Sequence, residues 1–129
     1  MSHVVQMNME VKDVDCLKNV VESLGLELVE QTSFKYYGNQ KKGCEMAIRI
    51  PGNKKAFEIG VVRKQDNSGW DLEWDSYSGG YGLTAIVGED AYKLKQGYQR
   101  EVAIKHAPTG FRLVESYKQD GTLVLDYIH

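Results

Sequence analysis

The stretch AFEIGVVRKQDNSGWDLEWD, residues 56–75, decides how this chain folds. Its first nine residues are rich in aromatic and β-branched side chains and read as a strand. Asp66-Asn67-Ser68-Gly69 suits a type I turn closed by glycine, so the chain should reverse into a hairpin there. WDLEWD then alternates bulky and acidic residues with the period of two that a half-buried strand requires. With Asp66 and Gly69 flanking the turn, Lys64 falls opposite Asp71 and Val61 opposite Trp74. Trp70, Leu72 and Trp74 then share a face with Val61 and Ile59, while Asp71, Glu73 and Asp75 point the other way.

Outward from this hairpin the pattern changes. On the N-terminal side, HVVQMNMEV (residues 3–11) reads as a strand with His3, Val5, Met7 and Met9 on one face and Val4, Gln6 and Asn8 on the other. KDVDCLKNVVESLGL (12–26) reads as a helix. Asp13 is a good N-cap because its carboxylate can accept from backbone N–H groups that have no helical partner. Val14, Leu17, Val20, Val21 and Leu24 recur at helical spacing, and Gly25 supplies the stop. LELVEQ, SFKYYG and EMAIRI are short strand candidates, with NQKKG (39–43) and PGNKK (51–55) as turns.

On the C-terminal side, SYSGGYGLTAIVG (76–88) reads as a loop. EDAYKLKQGYQREVAIKHA (89–107) is a second helix, capped near Glu89 and Asp90. Leu94, Tyr98 and Val102 recur along it, and Ala91 and Ile104 widen the stripe. Pro108 and Gly110 end it. FRLVESY and TLVLDYI form a last hairpin around KQDG. Hairpins dominate and strands do not alternate regularly with helices. The expected class is α+β: one domain over 1–129, a mainly antiparallel sheet with two helices packed on one face.

A chain of 129 residues, 42% hydrophobic and 26% charged, has the size and composition of one soluble domain. No apolar run approaches the roughly 18–20 residues of a membrane helix, and no secretory leader is apparent. Two cysteines, Cys16 and Cys44, are too few for a disulfide framework and read as free thiols in a reducing space such as the cytoplasm. The net charge of −2 is unevenly spread. Residues 1–34 carry −4, residues 35–64 carry +6, residues 65–92 carry −6 and the tail carries +2. The preferred meaning of the two middle blocks is charge pairing between neighbouring strands.

The order and spacing of several stretches resemble a known family. These are MSH at the start, LGL closing the first helix, FEIGVV, WDLEWDS, LKQGYQREVAIKHAPTGFRLVES and DGTLVLDYI. Together they are similar to the hypothetical chloroplast open reading frame thirty-five family, an uncharacterised domain of cyanobacteria and algal plastids. Ser2, His3, Gly25, Gly60, Tyr98, Gly110 and Phe111 match its pattern. The chain departs from it at SYSGGYG, where the family has a tryptophan-bearing segment. The resemblance implies a small soluble protein of cyanobacterial, plastid or cyanophage origin, in the cytoplasm or plastid stroma, and carries no catalytic residues.

Site chemistry is sparse. Asp71, Glu73 and Asp75 stand about 6.5–7 Å apart along one strand face, too far for three residues of one strand to chelate one cation. Pairing with Arg63 and Lys64 is preferred, with docking of a basic partner kept open. His3, His106 and His129 lack metal-ligand spacing, and the Gly79-Gly80-Tyr81-Gly82 run lacks the lysine of a phosphate loop. Cys16 lies in a helix's first turn, where the dipole lowers a thiol pKa, but Asp13 and Asp15 oppose this. No nucleophile is set against a base, so no catalytic residue, metal or cofactor is assigned.

The preferred function is therefore a non-enzymatic binding or accessory protein working through protein contacts. Tyr77 and Tyr81 are the leading contact residues, beside Asp71, Glu73 and Asp75. The alternatives are a single-stranded nucleic-acid binder and a small enzyme. The binder would use the basic-aromatic block 34–55, with Lys35, Tyr36, Tyr37, Lys41, Lys42, Lys54 and Lys55. An acidic chain overall argues against nucleic acid. An open edge strand also allows a homodimer.

Overall fold

Five antiparallel strands form the main sheet in the order β1-β7-β6-β5-β2, in a computed structural model that describes residues 4–129 and all their side chains except those of 39 and 77–79. The strands are β1 (Val4–Val11), β2 (Glu27–Glu30), β5 (Met46–Arg49), β6 (Ile59–Arg63) and β7 (Trp70–Asp75). Two further hairpins stand outside it: β3 (Ser33–Tyr36) with β4 (Gln40–Gly43), and β8 (Arg112–Tyr117) with β9 (Leu123–Ile128). The helices are α1 (Val14–Ser23), the short α2 (Leu83–Val87) and α3 (Tyr92–Lys105). This is the expected α+β class with its antiparallel sheet.

The core lies between one sheet face and the helices. Met7, Val11, Ile48, Ile59, Val61, Leu72 and Trp74 come from the strands, and Leu17, Val20, Val21, Leu83, Val87 and Leu94 from the helices. Asp13 caps α1, its Oδ1 accepting from the Cys16 N–H at 3.2 Å. Its other carboxylate oxygen takes a 2.6 Å hydrogen bond from Lys105 at the end of α3, which ties the two helices together. The helices approach closely because Gly97 has no side chain: a Cβ there would lie 2.2 Å from Val20 Cγ2. Tyr98 then reaches past α1 to accept from the Lys12 and Asp13 N–H groups at 3.0 and 3.2 Å.

The central hairpin forms with the expected faces and a different register. Val61 pairs with Leu72, Val62 with Asp71 and Arg63 with Trp70, two residues from the register read off the turn. An even shift keeps every side chain on its face. The cause is the loop: Asn67 takes a left-handed φ of 60°, and the ladder closes where Lys64 N–H donates to Gly69 O at 2.9 Å. That leaves four residues in the turn, with Asp66 Oδ1 accepting from the Ser68 N–H and hydroxyl.

Two segments depart from expectation. Residues 40–43, read as part of a turn, form β4, and the reversal falls instead at Tyr37–Asn39, where Gly38 adopts φ 71°. Residues 83–87, read as loop, form α2, because Leu83 and Val87 are one helical turn apart and both reach the core. α3 starts at Tyr92, three residues later than the reading of residues 89–107, since Asp90 and Ala91 have positive φ.

The hairpin β3–β4 lies over the second face of the sheet and explains Gly60. The buried ring of Phe34 occupies the space a Cβ on Gly60 would take, with Phe34 Cδ1 2.2 Å from that position. Lys42 is Phe34's cross-strand partner, and Glu73 is the cross-strand partner of Gly60. Lys42 Nζ reaches Glu73 Oε1 at 2.7 Å, an ion pair made by charge and distance, for Oε1 has no hydrogen-bond geometry. One strand pair thus delivers a ring and an ammonium to the glycine and the carboxylate of another.

Candidate functional site

The acidic face of β7 is the first candidate, and most of it is covered. Asp71 sits 3.0 Å from Lys64 Nζ and also accepts from Gln6 Nε2. The bond to Asp71 raises the Lys64 pKa. Glu73 is 9% exposed beneath Lys42, and Asp75 is 1% exposed. Arg63 turns away from this strand's carboxylates. It donates to both oxygens of Glu45 and its guanidinium lies 4.9 Å over the Trp70 ring. Trp70 Nε1 donates to the same carboxylate at 2.7 Å. The Arg63 and Trp70 bonds, in that order, hold the Glu45 carboxyl below the usual range. Of the acidic trio, only Asp71 keeps appreciable surface, so a basic partner would meet little of this strand.

The glycine-tyrosine loop is the second candidate. The Tyr77 side chain lies outside the described residues. Tyr81 is 68% exposed, its ring meeting Phe57 edge-on at 5.7 Å. The loop is fixed to the chain ahead of β6, where Phe57 N–H donates to Gly80 O at 3.0 Å. Tyr81 therefore stands near the 51–55 turn.

The basic block gathers on one side of the molecule. Lys35 and Lys41 are direct cross-strand partners in β3–β4. The Lys35 ammonium donates to the Lys54 carbonyl and joins the hairpin to the 51–55 turn. Lys41, Lys42, Lys54, Lys55 and Tyr37 are exposed, and Tyr36 is half-buried against Phe34, ring centroids 6.1 Å apart. Glu58 is embedded among them. Its Oε1 accepts from Lys35 N–H at 2.8 Å and from Gln31 Nε2 at 3.0 Å.

Sequence reasoning overlooked the C-terminal hairpin as a surface. Its register puts Arg112, Val114 and Ser116 on one face with Val124, Asp126 and Ile128. The opposite face meets α3: Arg100 pairs with Glu115, and Tyr127 Oη donates to Ala103 O at 2.6 Å. On the first face Arg112, Val114, Ser116 and Asp126 are exposed, and among the described residues no third strand flanks either edge. On the opposite, α3-facing side a mostly apolar groove of about 470 Å³ runs between Lys12, Tyr98, Val102 and Tyr127. The signal was present in FRLVESY and TLVLDYI, which carry apolar residues at odd and even positions and so have hydrophobic side chains on both faces.

The remaining candidate groups are the two thiols and the histidines. Burial, then the Asp13 charge, pushes the Cys16 thiol up, against the effect of the helix dipole. Burial, then Glu58 and Glu73, pushes Cys44 to about 11. Both are predominantly protonated near neutrality and weak nucleophiles. His3 lies outside the described residues, His106 ends α3 and the His129 ring packs against Phe111 at a tilt of 47°. Among the described residues no three His, Cys, Asp or Glu side chains gather as metal ligands, and no helix is long and apolar enough to cross a membrane.

No protein-family model, curated protein or solved structure matches the chain.

Proposed function

We propose that the chain is a non-enzymatic binding protein whose protein partner adds an extended segment to the β8–β9 hairpin. The observation that carries this is a regular six-residue strand pair with apolar residues on both faces and, among the described residues, no third strand. The hairpin packs on α3 by one face only, and an added strand supplies backbone partners at an open edge and lateral side-chain neighbours for Val114, or for Val124 and Ile128. The main sheet's own edges are blunted. The β1 register shifts between Gln6 and Glu10, and β2 is four residues long with a glutamate at each end. The likeness to the chloroplast reading-frame family, with its cytoplasmic or stromal setting, also stands as a proposal resting on motif order.

The test is affinity capture from cell extract with wild type and Val124→Lys, both nuclease-treated, alongside sedimentation of the purified chains. A protein partner that resists nuclease and is lost with Val124→Lys, from a monomeric wild type, is the expected outcome. Identical capture by the two chains would contradict the proposal. So would a wild-type dimer that Val124→Lys dissociates, for then a second copy covers the hairpin.

A further inference from the structure

We propose a second binding surface, for single-stranded nucleic acid, on β3–β4 and the 51–55 turn, with Lys41, Lys54 and Lys55 meeting phosphates and Tyr37 and Tyr81 stacking on bases. It uses a different part of the molecule from β8–β9 and does not depend on that reading.

Three observations carry it. The first is a conflict inside the hairpin: Lys35 and Lys41 are directly opposed, and like charges at such a pair destabilise a ladder. Among the described residues neither ammonium has a carboxylate at ion-pair distance, and Lys35 turns to the Lys54 carbonyl instead. A chain selected for stability alone would place an acid or a neutral residue at one of these positions. An anionic ligand removes the conflict.

The second is the shape. A depression of about 270 Å³ lined by Ser33, Lys35 and Lys41 adjoins one of about 360 Å³ lined by Lys35, Asn53 and Lys54. Both linings include Lys35 and Glu58, so the track is continuous from the hairpin to the turn. Glu58 is the one acid in these linings, and its Oε1 is already held by the Lys35 N–H and Gln31.

The third is the placement of rings. Tyr37 is 45% exposed where β3 turns into β4. Tyr81 is bound to the other end of the basic surface through the Phe57–Gly80 hydrogen bond, two residues beyond Lys55. Cations between exposed aromatics are the recurring arrangement for single strands, where phosphates are neutralised and bases stack. An acidic polypeptide would satisfy the lysines and leave the rings unused. A duplex would need an element free to enter a groove, and Phe34 pins β3–β4 flat on the sheet.

The experiment is fluorescence anisotropy of a short labelled oligothymidylate against the full chain over a range of salt. Three phosphate contacts predict a log–log salt slope of about −2. The triple variant Lys41→Gln, Lys54→Gln, Lys55→Gln should bind roughly tenfold or more weakly with a flatter slope. Its melting temperature should not fall, because a repulsion has been removed. Tyr37→Ala and Tyr81→Ala should each lose roughly tenfold with the slope unchanged, and Tyr→Phe should restore binding. The proposal is overturned by absent binding at low salt or by a folded triple variant that binds like wild type. It is equally overturned if polyglutamate competes as well as unlabelled oligonucleotide while the tyrosine variants bind normally.

Discussion

Removing the ring of Phe34 should change what residue 60 tolerates. An alanine at Gly60 puts a Cβ 2.2 Å from Phe34 Cδ1 and 2.4 Å from Cε1, inside any permitted contact. The ring is fully buried and cannot move without displacing β3, so Gly60→Ala should cost about 1–3 kcal/mol as overpacking. Phe34→Ala removes a buried aromatic and should cost about 3–5 kcal/mol. In the double variant the new methyl enters the space the ring vacated, and the overpacking disappears. Its cost should then approach that of Phe34→Ala alone, about 1–3 kcal/mol below the sum of the single variants. Urea unfolding of the four chains, fitted by linear extrapolation, measures the coupling. Additivity within about 0.5 kcal/mol would refute the placement of β3–β4 on the sheet, and with it the assembly of the basic surface.

Three further outcomes follow from the packing. Gly97→Ala gains about 1 kcal/mol of helix propensity and meets Val20 Cγ2 at 2.2 Å. It should destabilise on balance, and Val20→Ala should recover most of the loss; a stabilised single variant would show that α1 and α3 are farther apart. Lys42→Ala leaves the Glu73 carboxylate nearly buried without its cation and should cost about 1–3 kcal/mol in a thermal or urea melt. Adding Glu73→Gln should recover part of that, and a lone Lys42→Ala with wild-type stability would refute the pair. Asp13 is lowered from 3.8 to about 2, first by the Lys105 hydrogen bond and then by the Cys16 N–H. A depressed carboxyl stabilises the fold above its unfolded pKa and loses that contribution as pH falls through the folded one. The advantage of wild type over Asp13→Asn should hold from neutrality to near pH 4 and shrink towards pH 2; a constant difference across acid unfolding would contradict the bond.

Much of the fold was legible because its signals are local. Asp13 caps α1 through its own carboxylate, and the apolar spacing of Leu17, Val20 and Val21 survives as the buried face. WDLEWD keeps its faces because a period of two is preserved under any even shift of register. The register itself was not legible, since it turns on Asn67 adopting a left-handed conformation that the type I reading does not include. Charge pairing between the basic and acidic blocks is realised in part. Lys64 finds Asp71, while Glu73 is served by Lys42 from a hairpin that QKKG does not announce, for four exposed residues carry no burial pattern. Gly60 reads as an ordinary strand glycine until Phe34 is seen above it. Among the candidate site residues, the exposure of Tyr81 fits a loop rich in glycine, whereas the burial of Asp75 depends on contacts remote in sequence.

Backbone amide exchange of the purified chain, read segment by segment and repeated with the captured partner, tests the central claim most directly. If β8–β9 is a strand pair still lacking its third strand, its amides in the free protein should exchange on the order of a hundredfold faster than those of β6 and β7. Added partner should slow them and leave the main sheet unchanged. Equal protection of the hairpin and the main sheet in the free chain, unmoved by the partner, would contradict the account.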